Sequence, residues 1–155
     1  MRHLRQPSPP RALAAAAAFA VCLAALPAAA QNDEAKPAYT DYKGVTIGMT
    51  AEAARAKLGA PTDKSDAQDF YNVSDKQTVQ VYYGADKKVS AVVVTYLDAG
   101  RAAPAPKSIF GSDVEAKADG SLHRMERYPK AGFWLSYSRT AGDSPLVVIT
   151  LSKIQ

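Results

Sequence analysis

Cysteine occurs once in the 155 residues, at Cys22, and histidine twice, at His3 and His123. Cys22 and His3 both fall in the first thirty residues, which the sequence marks for removal. The remaining chain has no thiol and one imidazole. That excludes disulfides, thiol nucleophiles and thiolate metal sites. A lone His123 also supplies neither a two-histidine metal site nor a Ser-His relay with a spare base. Motifs of the types H-E-x-x-H and G-x-S-x-G are missing, as is a phosphate-cradling glycine loop. No acidic residue precedes Asp33, and no apolar run reaches the roughly 20 residues of a spanning helix.

What the first thirty residues do contain is the layout of an export signal. Arg2, Arg5 and Arg11 form a positive start, Leu13 to Leu26 is uncharged and alanine-rich, and Pro27 ends the run. Ala28-Ala29-Ala30 supplies the small residues that a signal peptidase reads, so cleavage is expected near Ala30. At about 14 residues the run is too short for a stable membrane anchor. Val21 precedes Cys22 where lipid attachment needs a small residue, and Cys22 lies inside the apolar run, so it leaves with the signal. The expected location is the periplasm or the exterior.

Loss of residues 1–30 removes three arginines and no acid. Lys+Arg falls from 19 less 3 to 16, against 15 Asp+Glu. A net charge near +1 over 125 residues gives no electrostatic footprint for nucleic acid or an anionic membrane. A chain of that length fits one domain with a core of its own.

Residues 31–43 are polar, carry Pro37 and read as a flexible lead-in to a single α+β domain over 44–155. Thr50 is placed as a helix N-cap with Glu52 in the first turn. Ala51, Ala54 and Leu58 share a face, and Gly59 and Pro61 stop the helix at Leu58. Beyond Pro61 the period changes to two. Strands are expected at 70–73, 78–83, 89–97, 122–128, 133–138 and 146–152, with Val79, Val81 and Tyr83 facing the core. Asp98 to Lys107, with Gly100, Pro104 and Pro106, is expected to be a non-helical linker. Asp63, Asp66 and Asp69 read as a solvated loop without calcium-loop spacing.

Val79 to Tyr83 lies over Phe133 to Tyr137 at a shift of 54, and Val93 to Leu97 lies over Val147 to Leu151 at the same shift. Leu58-Gly59 matches Phe110-Gly111 two residues out of step. These matches give half-repeats over about 44–97 and 107–155, the second without a helix, although two unrelated hairpins of similar length would also align.

Ile47-Gly48-Met49-Thr50, a short helix, Leu58-Gly59-Ala60-Pro61 and a Tyr-Tyr hairpin resemble the SmpA/BamE-like domain family, over about residues 44–97. That family is related in fold to the β-lactamase inhibitor protein (BLIP). The resemblance implies an α+β fold, a short helix packed on an antiparallel sheet. It also implies an exported, non-catalytic module that binds an envelope or secreted protein, in assembly or as an inhibitor. The chain departs from the lipoprotein members in lacking a usable lipid-bearing cysteine.

The candidate binding residues come from strand parity. Tyr82 and Trp134 fall on the polar parity among Thr78, Gln80, Ser136 and Ser138, with Tyr96 a third candidate in the neighbouring strand. Aromatics on a sheet face are common in protein-binding surfaces, and the alternative is that the 98–110 linker covers them. Arg124 is the fourth candidate, in a run (Leu122 to Arg127) whose charges also suit an edge strand. No catalytic residue, metal or cofactor is expected. A small-ligand protein with a pocket between sheet and helix is the alternative function.

Overall fold

The computed structural model describes residues 36–100 and 102–155, which belong to one structural unit. The proposed leader, Cys22 included, lies outside the described residues. Helix α1 (Ala51–Leu58) is built as its caps dictate. The Thr50 hydroxyl accepts the Ala53 N–H at 3.3 Å, and Gly59, at φ 86°, donates its N–H to the Arg55 carbonyl. Ala51 and Ala54 are buried and Leu58 is half-buried, so a narrow stripe of small residues lets the helix approach the sheet closely.

Seven strands follow: β1 (Asp63–Lys64), β2 (Gln68–Ser74), β3 (Gln77–Tyr83), β4 (Val89–Tyr96), β5 (Leu122–Tyr128), β6 (Phe133–Arg139) and β7 (Val147–Lys153). They form one antiparallel sheet in the order β1-β2-β3-β4-β7-β6-β5. Both β2-β3-β4 and β5-β6-β7 are meanders, and they meet edge to edge at β4 and β7. The fold is α+β and mostly sheet.

One face of the sheet carries the core. Val79, Val81, Val92, Val94, Leu135, Ile149 and Leu151 are fully buried. Each stabilises the fold by about 1.5–3 kcal/mol over an exposed position. The packed body reaches N-terminally past Gly44, because Tyr42 is buried and its hydroxyl accepts a hydrogen bond from Gln77 Nε2 at 2.9 Å.

The expected non-helical linker is corrected at its end. Helix α2 (Pro106–Phe110) begins at Pro106, so the second half of the chain does have a helix. Proline at the first helical position gives up only an N–H that has no helical acceptor. Gly111 closes α2 at φ 77°, in the left-handed region. Ala99, Ile109 and Phe110 join the same core as α1, so this segment covers the core face of the sheet and not the other.

Parity in β4 is set by a bulge opposite Tyr82/Tyr83. Val89 faces inward before it, and Val92, Val94 and Tyr96 face inward after it. An extra residue in one strand shifts every later side chain to the opposite face.

Candidate interaction face

The face turned away from both helices is read through three cross-strand rows. Directly opposed residues in antiparallel strands point to the same side. The first row is Gln68, Tyr82, Ala91, Ser152, Trp134 and Arg127. The second is Phe70, Gln80, Val93, Thr150, Ser136 and Met125, and the third is Asn72, Thr78, Thr95, Val148, Ser138 and His123. None of these positions holds a carboxylate. The only basic side chains at these positions, Arg127 and His123, stand on β5.

Tyr82 and Trp134 therefore share a row, three inter-strand steps apart, or about 14 Å. The residues between them, Ala91 and Ser152, are small. A depression of about 450 Å³ has both in its lining and continues past Ser90, Gly84 and Ile154. The Tyr82 hydroxyl is turned along its own strand to Gln80 Oε1 at 3.1 Å. Among the described residues nothing accepts a hydrogen bond from the Trp134 indole. Phe70 and Met125 stand in the next row, Met125 more than half exposed. Strand parity predicts Tyr82 and Trp134, but adding Phe70, Met125 and Arg127 requires the register.

The other two predicted residues do not join them. Tyr96 is buried on the core face, where the β4 bulge sends it. Arg124 is also on the covered side. Its guanidinium lies 4.8 Å over the Phe110 ring, donates to Ser112 Oγ at 2.8 Å and pairs with Glu126, which also accepts the Tyr128 hydroxyl. Arg124 thus ties β5 to α2 and the loop after it.

Asp69 is corrected as well, since it belongs to β2 and is fully buried. Arg55 grips it through two bonds, Nε to Oδ2 at 2.7 Å and Nη2 to Oδ1 at 2.9 Å, and the Tyr83 hydroxyl donates to Oδ2 at 2.5 Å. Burial by itself raises the carboxyl pKa, but the Arg55 and Tyr83 hydrogen bonds outweigh it and hold the group below its usual 3.8. Burial and the neighbouring Asp69 charge push Tyr71 up to about 12. Through these bonds the cluster fastens α1 to the sheet.

A second cavity, of about 300 Å³, opens between the end of α1 and the sheet, against Leu58, Tyr71 and Val79, with Lys43 and Lys57 at its border. No three His, Cys, Asp or Glu side chains among the described residues converge as a metal site. No helix among them is long and apolar enough to cross a membrane. Comparison with protein-family models, curated proteins and solved structures finds no match for this chain.

Proposed function

We propose that the protein is an exported, non-catalytic interaction module that holds an envelope or secreted protein on the open face of its sheet. The observation that carries this reading is the pairing of Tyr82 and Trp134 in one row across a floor of Ala91 and Ser152. Tyr, Trp, Met and Arg are enriched where proteins meet, and the three rows themselves hold no carboxylate to desolvate. Large rigid aromatics also contribute contact area with little side-chain entropy to lose.

The domain is further read as two degenerate repeats of one helix and three strands, in the manner of the SmpA/BamE-like and BLIP-like folds. Its support is the order α1-β2-β3-β4 followed by α2-β5-β6-β7, with glycine closing both helices. The shift of 54 lays the inward residues of β3 over those of β6, whereas after the β4 bulge it lays outward Val93 and Thr95 over inward Val147 and Ile149.

The test is capture of envelope proteins on the wild-type protein and on Tyr82→Ala/Trp134→Ala. Both substitutions lie off the core, so the variant should melt close to the wild type. Loss of a partner by at least tenfold on a folded variant is the expected result, equal to about 1.4 kcal/mol. Equal retention, or no retained protein, overturns the reading. The second reading, a small-ligand protein, rests on the cavity between α1 and the sheet. It predicts that Leu58→Trp blocks ligand binding while the aromatic pair is dispensable.

A further inference from the structure

The two edges of the sheet differ. One ends in β1, two residues long and built of Asp63 and Lys64, which leaves little backbone to pair. The other is β5, a full seven residues whose neighbour on one side is β6. Among the described residues no backbone group pairs with β5 on its other side. A long edge strand presents a row of unpaired N–H and C=O groups to any strand that fits.

The sequence of β5 selects which strand fits. Leu122-His123-Arg124-Met125-Glu126-Arg127-Tyr128 is complementary to its own reverse about Met125. We propose that β5 pairs antiparallel with β5 of a second copy, centred on Met125, joining two sheets into one. Arg124 then opposes Glu126 of the second copy, and Glu126 opposes its Arg124, which places two ion pairs on the helix-bearing side. Leu122 opposes Tyr128 on that same side. Met125, 56 % exposed in the single chain, meets its own counterpart on the open side. His123 falls opposite Arg127 there and adds no attraction. The two-fold axis runs normal to the sheet, so the open faces of both copies lie on one side. Opposite charges directly across a strand pair stabilise it, and like charges destabilise it. The inference rests on the edge of the sheet and stands whether or not the open face binds a partner.

Sedimentation velocity on the purified full-chain product, over a roughly 100-fold range of concentration, reads the equilibrium directly. A dimer that strengthens with concentration is expected. Arg124→Glu and Glu126→Arg should each weaken it at least tenfold, by placing like charges opposite each other, and the combined swap should restore it. Because Arg124 also contacts Phe110, a second measurement avoids disturbing the fold. Met125→Cys in a Cys22→Ala background leaves only an exposed side chain changed. Directly opposed residues bring their Cβ atoms to about 4.5–5.5 Å, a small adjustment from the roughly 3.5–4.5 Å of a disulfide. Met125→Cys should therefore cross-link two copies on mild oxidation, and Ser136→Cys, one strand further in, should not. A wild type that stays monomeric throughout overturns the pairing. So does a Met125→Cys that cross-links no faster than Ser136→Cys, or a charge swap that fails to recover the dimer.

Discussion

Asp69 keeps its charge in the core only because Arg55, Tyr83 and Tyr71 are arranged around it. Removing one partner of such a pair leaves an uncompensated buried charge, at about 3–5 kcal/mol. Arg55→Met is expected to lose that much in urea unfolding, and Arg55→Met with Asp69→Leu to recover part of it. Because the folded pKa of Asp69 lies below its unfolded value near 3.8, its contribution is present above that pH. It is lost as pH falls further, and acid titration of Arg55→Met should lack that component. The alkaline side has the opposite sign. Tyr71 is raised from 10.0 to about 12, so its contribution holds below pH 10.0 and fades above it. The sequence held a signal for this cluster: Asp69 and Tyr71 share a parity, so a strand begun one residue before Phe70 turns both inward. Three aspartates spaced by three, beside serine and lysine, instead read as a loop.

Among the elements, α1, the inward parity of β3 and β6 and the existence of β7 were legible. A capped helix and a period of two are local properties, written by neighbours a few residues apart. α2 was not legible, because proline is read as a breaker unless the helix start is already known. Its glycine terminator gives a check at this scale. Gly111 sits at φ 77° with open space where a Cβ would go. Gly111→Ala should therefore cost only the left-handed strain, about 1–2 kcal/mol. A larger loss in thermal unfolding would mean that the end of α2 is packed more tightly than this geometry allows. Tyr96 was placed wrongly for a related reason. A bulge is decided by the pairing of β3 with β4, and one added residue reverses the parity of everything after it.

At the scale of the whole chain, the export reading predicts a mature protein beginning just after Ala30, about 3 kDa lighter than the 16.5 kDa precursor by the usual residue mass. Intact mass of the exported product checks it, and an uncleaved chain would remove the envelope from the proposed function. Composition by itself limited the side chains available, since residues 31–155 hold one imidazole and no thiol. Periodicity determined that a sheet would dominate and which side chains would alternate. Only the tertiary structure decided that β4 and β7 join the two meanders, that Tyr82 and Trp134 share a row, and that Arg124 and Tyr96 lie on the other side. The physical reason is reach. Capping and alternation act within a turn or a strand, whereas register, burial of a charge and the freedom of an edge depend on residues distant along the chain.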